Sequence, residues 1–187
     1  MKERAAFQEA QQSLDATNTV WLDEAALNLS MTTSYGRSPA GERVVEHRPS
    51  TRTAKTSNVG AMTHEGLVAL GTVEGSFNTE RFLHWLTTGL LPNLARGTLI
   101  IWDNVRFHFH ESVRRAVEAA GCIIVKMPPY SPDLNPIEEC WSKLKHFVRT
   151  LKPRSQVELM EAIDSAESML KPSDFRGWVR HAGYQLP

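Results

Sequence analysis

The sequence predicts an α/β fold: a mixed sheet, with an antiparallel hairpin beside parallel strands, flanked by helices. Three observations carry it. Two short apolar runs between Val59 and Val73 are separated by His64-Glu65-Gly66, a hairpin pattern in which glycine supplies the turn. Two continuous apolar runs, Thr98 to Trp102 and Cys122 to Val125, read as buried strands. Between them Val113, Ala116, Val117 and Ala120 recur at helical spacing as far as Gly121, a C-terminal cap, so a helical crossover joins two parallel strands.

The remaining elements follow in chain order. Residues 1–16 read as an amphipathic helix or linker, and Thr19 to Leu29 begins with the β-rich Thr-Val-Trp-Leu. Tyr35 to Thr56, rich in Gly, Pro, Ser and Arg, reads as an extended loop. Asn78 is an N-cap candidate for a helix carrying Phe82, Leu83, Trp85, Leu86 and Leu90. Pro128-Pro129-Tyr130-Ser131-Pro132 interrupts the chain before a strong helix from Pro136 to about Leu151. Two further helices are predicted near Gln156 to Leu170 and Ser173 to His181. The expected division is a linker over 1–18, a core over 19–152 and a helical extension over 153–187.

Composition excludes several classes. Of 187 residues, 41% are hydrophobic, within the range of folded globular domains, and no apolar run approaches the length of a membrane span. The charged N-terminus has no signal-peptide pattern, and the two cysteines, Cys122 and Cys140, form no disulfide or four-cysteine zinc framework. A reducing, cytoplasmic setting without membrane partners is expected. Formal net charge is zero, with 21 basic and 21 acidic residues, but the bases are unevenly placed. Arg37, Arg43, Arg48, Arg52 and Lys55 fall in the extended loop, and Lys143, Lys145, Arg149, Lys152 and Arg154 lie between Cys140 and Val157 without an acid. Such a distribution fits either a nucleic-acid track or a solvated helix face.

Three acids stand at the ends of elements: Asp23 closing the first strand, Asp103 after the central one, and Glu138 in the first turn of the following helix. In open α/β sheets, residues beyond the carboxyl ends of strands converge on ligands. Clustered carboxylates repel unless a cation neutralises them, and hard oxygen donors without His or Cys select Mg²⁺ or Mn²⁺. Glu138 has a competing assignment: with Asn135 as N-cap and Pro136 first in the helix, it completes a capping box. Glu24 is expected to point away from Asp23, and Glu139 to pair with Lys143. His108 and His110 alternate like zinc ligands but lack a third soft ligand.

The run Pro128 to Lys145, Pro-Pro-Tyr-Ser-Pro-Asp-Leu-Asn-Pro-Ile-Glu-Glu-Cys-Trp-Ser-Lys-Leu-Lys, resembles the third-acid signature of DDE transposases of the mariner-like branch, bacterial insertion-sequence type. The 34 residues between Asp103 and Glu138 match the spacing of that branch. Trp102 to His108 resembles its second-acid block, Trp21 to Glu24 its first, and residues 35–43 and 175–184 further segments. Departures are small: Arg37 and Cys140 replace more usual residue types, and Ala25-Ala26-Leu27 is bland.

The resemblance implies an RNase H-like fold and two-metal phosphoryl transfer, with Asp23, Asp103 and Glu138 as catalytic metal ligands for two Mg²⁺ or Mn²⁺ ions. The implied activity is DNA strand cleavage and strand transfer. The alternatives are an RNase H-like nuclease without strand transfer and a non-catalytic remnant that binds DNA or oligomerises. Partners would be transposon-end and target DNA, with a second copy of the chain possible. A helix-turn-helix module is expected in trans or from an upstream frame, because 18 residues before the first strand are too few for one. Helical spacing places Glu138, Ser142, Lys145, Arg149 and Lys152 on one face beside the apolar face of Ile137, Trp141, Leu144, Val148 and Leu151. The DNA-contact candidates are Lys145, Arg149 and Lys152 on that face, Arg48 and Arg52 of the basic loop, and His108, which the family resemblance marks.

Overall fold

A computed structural model describes residues 2–29, 31, 35–45 and 56–187 of the chain. The strands are β1 (Thr19–Ala26), β2 (Thr56–Met62), β3 (Leu67–Glu74), β4 (Leu99–Trp102) and β5 (Ile123–Lys126). They form one sheet in the order β3-β2-β1-β4-β5. The β1–β2 and β2–β3 pairs are antiparallel, whereas β1–β4 and β4–β5 are parallel. The hairpin and the two crossover strands thus stand as the sequence predicts.

Alternation along β1 sorts its side chains between two cores. Trp21 and Ala25 join one core with Ile101, while Val20 and Leu22 join the other with Ile100 and Trp102. The first core is covered by α4 (Ile137–Leu151), α5 (Gln156–Ser168) and α6 (Pro172–His181), through Trp141, Leu144, Ile163 and Val179. The second is covered by α2 (Thr79–Trp85) and α3 (Glu111–Ala119), through Phe82, Trp85, Val113 and Val117. At the N-terminus α1 spans Lys2–Gln11, and its Gln11 Nε2 donates to the Ala182 carbonyl oxygen at 2.6 Å, tying the two ends of the chain together. Among the described residues no helix is long and apolar enough to cross a membrane.

Several local expectations change. Asn78 does cap α2, accepting from the Arg81 N–H at 2.9 Å. The helix then widens into a π turn over Leu86–Leu90 and tightens at Leu91–Asn93, where Gly89 and Pro92 interrupt regular helix. β5 is not a buried strand: it forms the outer edge of the sheet, and Ile123 is 52% exposed. An apolar run encodes strand propensity, not a place in the strand order. α4 ends at Leu151, which is itself exposed, and Lys152 caps it in the left-handed region with φ 52°. The side chain at 152 therefore leaves the regular helical face that carries Lys145 and Arg149.

Gly60 explains how closely α4 approaches the sheet. It pairs with Asp23 in the β1–β2 register, and a Cβ there would stand 2.7 Å from Cη2 of Trp141. The indole lies over the bare backbone one helical turn beyond Glu138, so the glycine helps set the height of that acid above β1. Gly60→Ala is expected to cost about 1–3 kcal/mol through overpacking. Denaturant unfolding measures this, and wild-type stability in the variant would show that Trp141 repacks freely.

Candidate active site

The β1–β4 register places Thr19, Val20 and Trp21 beside Leu99, Ile100 and Ile101. Asp23 follows Trp21 by two residues and Asp103 directly follows the last residue of β4, so both acids stand at the same end of the sheet. β4 stops at Trp102, whereas β1 continues to Ala26 against β2, so Asp23 lies within its strand and does not close it. The gap beyond the end of β4 opens into a cavity of about 410 Å³. Asp23, Asp103 and Glu138 line it together, with Asn104, Tyr130 and Asn135.

Glu138 reaches this cavity without a capping role. Asn135 is buried, its Nδ2 donating to the Leu22 carbonyl oxygen at 3.3 Å, and no side chain caps α4. Instead the Glu138 N–H donates to the Asn135 carbonyl oxygen at 3.1 Å. The capping box fails because its proposed N-cap side chain is used to join the loop to β1. Asn104 likewise does not orient Asp103: its Nδ2 donates to the Met127 carbonyl oxygen at 2.8 Å, fastening the ends of β4 and β5 together.

Charge in the cavity is strongly unbalanced. Burial pushes the Asp23 carboxyl up to about 8, and the charges of Glu138, Glu24 and Asp103 add to the effect. Burial also raises Glu138; Lys145 opposes that shift and Asp103 reinforces it. Asp103 behaves differently. Burial works to raise it, but hydrogen bonds from His108 and the Val105 N–H outweigh burial and hold it below the usual carboxylate range.

His108 is the main departure from the sequence reading. It is 1% exposed and so cannot be a DNA contact on the surface. Its Nε2 lies 2.7 Å from Glu24 Oε1 and its Nδ1 3.2 Å from Asp103 Oδ1. Alternation does turn Glu24 away from Asp23, but towards this imidazole and not to a passive position. Burial alone would lower the His108 pKa, yet the bonds to Asp103 and Glu24 raise it to about 9. Ligand atoms of Glu24, Asp103 and His108 all lie within 4.8 Å of one another, the one such group among the described residues. Nε2 faces the Glu24 carboxylate, and Nδ1 sits between the Asp103 carboxylate and the Asp103 main-chain carbonyl oxygen, 3.5 Å away, so the ring is engaged by acceptors on both sides.

The acids lining the cavity are hard oxygen donors, and their burial and crowded charge, which raise Asp23, are what a hard divalent ion would relieve. By donor type the residues fit such an ion.

Lys145 and Arg149 lie half-buried along α4, and Lys152 is exposed at its end. Arg48 and Arg52 lie outside the described residues. Lys143 pairs with Asp174 of α6 at 2.5 Å, not with Glu139, because α6 packs against α4. Tyr130, set among Pro128, Pro129 and Pro132, is fully exposed at the cavity mouth on a left-handed backbone of φ 54°, a placement that its proline-rich surroundings signal but its residue type does not.

A sequence family described as DDE superfamily endonuclease matches residues 18–160. This chain belongs to that family. The DDE endonuclease fold seen here also resembles solved Mos1 structures. A Mos1 transposase paired-end complex with left transposon end has a TM-score of 0.80 at 15% identity, covering 97% of this chain and 57% of that one. The Mos1 strand transfer complex has a TM-score of 0.78 at 16% identity, covering 97% and 56%. The Mos1 transposase catalytic domain with Raltegravir and Mn has a TM-score of 0.72 at 16% identity, covering 100% and 96%. At these identities the likeness establishes the fold, the RNase H-like mixed sheet expected above. This DDE endonuclease chain spans little more than half the length of the Mos1 chains in the two DNA complexes. No curated protein sequence matches it.

Proposed function

We propose that this DDE endonuclease cleaves DNA strands and joins the freed 3′ ends to target DNA, as a mariner-like transposase catalytic domain of the bacterial insertion-sequence type. The observation that carries the reading is the convergence of Asp23, Asp103 and Glu138, remote in sequence, on one cavity past the end of β4. The solved Mos1 relatives include a paired-end complex with Mn, a catalytic domain with Mg and a strand transfer complex, which supports the same assignment here. Asp23, Asp103 and Glu138 would hold two Mg²⁺ or Mn²⁺ ions. Such a pair supplies an activated water or 3′-hydroxyl and stabilises the leaving oxygen of an in-line displacement.

The chain's own residues do the rest. Asp23 is fixed by its pairing with Gly60 of β2, Glu138 by the first turn of α4, and Asp103 by its hydrogen bonds beyond β4. Lys145 lies close enough to Glu138 to oppose the effect of its burial, beginning a basic track that Arg149 continues along α4. A phosphate backbone leaving the cavity would follow that track. The linker, catalytic core and helical extension are proposed over 1–18, 19–152 and 153–187. Transposon-end and target DNA would be its partners, and the catalytic assembly would pair two copies of the chain.

The test incubates the chain with pre-cleaved transposon ends, target plasmid and Mg²⁺ or Mn²⁺. Joined products that require all three acids support the proposal. Nicking without joining supports the nuclease alternative, and neither reaction supports the non-catalytic one. Lys145→Gln with Arg149→Gln is expected to weaken DNA binding evenly across sequences and to reduce the log–log salt slope by about two. Fluorescence anisotropy over a salt series measures this, and an unchanged slope places the backbone elsewhere.

A further inference from the structure

We propose that Glu24 and His108 are positioning residues that fix the Asp103 carboxylate relative to Asp23, so that the two acids meet the same cation. The inference rests on the assignment of Asp103 and Asp23 as metal ligands made above.

Asp103 stands one residue beyond the last paired position of β4, where the sheet no longer holds it. A carboxylate there turns easily about its terminal torsion. Two contacts restrain that rotation: the Val105 N–H bonds Oδ1 at 3.1 Å, and His108, whose Nδ1 reaches the Asp103 main-chain carbonyl oxygen at 3.5 Å, sets the same nitrogen 3.2 Å from Oδ1 as an ion-pair partner. The second oxygen, Oδ2, accepts no hydrogen bond from any described residue, which leaves it for a cation.

His108 is held more firmly than the residue it orients. Its ring stacks on Trp102 at 5.2 Å and 28°, lies 4.7 Å from Phe82, and meets Phe107 edge-on at 4.8 Å. The anchor at its far side is Glu24 Oε1, 2.7 Å from Nε2. Glu24 follows Asp23 directly in β1, so the Glu24–His108–Asp103 chain ties the free end of β4 back to the strand that carries the first acid. Charge-assisted hydrogen bonds in a buried setting are strong enough to hold that geometry. Partners that orient metal ligands in this way commonly account for ten- to hundredfold in metal affinity or activity.

Packing alone predicts something else, and His108→Phe separates the two roles. Phenylalanine keeps the aromatic contacts but loses both hydrogen bonds; Glu24→Ala leaves the ring in place and removes its anchor; Glu24→Gln keeps an oxygen that accepts from Nε2. Mn²⁺ binding to the DNA-free chain is measured by calorimetry, and cleavage is measured over a Mn²⁺ series. His108→Phe and Glu24→Ala are expected to weaken Mn²⁺ binding about tenfold or more. Cleavage should return to within a few-fold at saturating Mn²⁺, and Glu24→Gln should be the mildest change. If the wild type binds Mn²⁺ and both severe variants bind within twofold of it, the positioning role is overturned while the catalytic reading stands. Absence of Mn²⁺ binding by the wild type overturns both. Should His108→Phe not fold, Glu24→Ala decides the question alone.

Discussion

Glu138→Gln is expected to reduce DNA cleavage about a thousandfold or more, the consequence of losing several kcal/mol of charge stabilisation at a metal site. Folding should survive almost unchanged, within about 1 kcal/mol. The structure gives the reason: α4 begins without a side-chain cap, so the carboxylate has no helix-stabilising duty to lose. Burial and Asp103 both disfavour its charge, so the neutral amide relieves repulsion. Glu139→Gln is the control, because Glu139 lines the neighbouring surface with Trp178 and His181 and not the acid cavity. Cleavage assays paired with thermal melts decide the matter. Activity retained in Glu138→Gln and lost in Glu139→Gln would move the third acid by one residue.

The metal-free chain is expected to lose stability as pH rises from about 6.5 to 9. Asp23 has its pKa raised to about 8, so the folded chain keeps a proton that the unfolded chain sheds near 3.8. Its contribution therefore falls as pH climbs between those values. His108, raised from 6.5 to about 9, contributes stability fully below 6.5 and loses it as pH passes 9. Between about 6.5 and 8 the two losses have the same sign, each at most about 1.4 kcal/mol per pH unit. Glu138, also raised, acts in the same direction above its unfolded value. Asp103 is lowered, so its contribution is lost only in acid, outside this window.

Divalent ions should reverse the trend, since a cation binds the deprotonated acid. The rise in melting temperature on adding Mg²⁺ is expected to be small at pH 6 and to grow up to about pH 8. Asp23→Asn should flatten the part of the metal-free profile below pH 8 and leave the part due to His108. Thermal melts with and without Mg²⁺ from pH 5 to 9.5 measure all three. A Mg²⁺ gain larger at pH 6 than at pH 8 would contradict the assignment of Asp23 as a ligand.

The sequence by itself determined the order and type of the main elements, because their signals are short-range. Gly66 turns the hairpin, Asn78 caps α2, and Gly121, with φ 75°, closes α3 where a left-handed residue is required. It also determined which acids to consider, since the Pro128 to Lys145 block and the spacing of Asp103 and Glu138 are properties of the chain alone. Tertiary structure decided what those residues touch. Whether Glu24 is idle or anchors His108 depends on two strands whose paired residues are 80 positions apart in the chain. Asn135 suits a helix cap locally, but the Leu22 carbonyl is brought to it by a contact 113 residues distant. β5 has the residues of a buried strand and lies at an edge because nothing in a four-residue run records its neighbours. Propensity, capping and turn chemistry act over a few residues and can be read directly. Register, strand order and the charges that meet across them arise only when distant segments pack, and there the working geometry of this cavity is set.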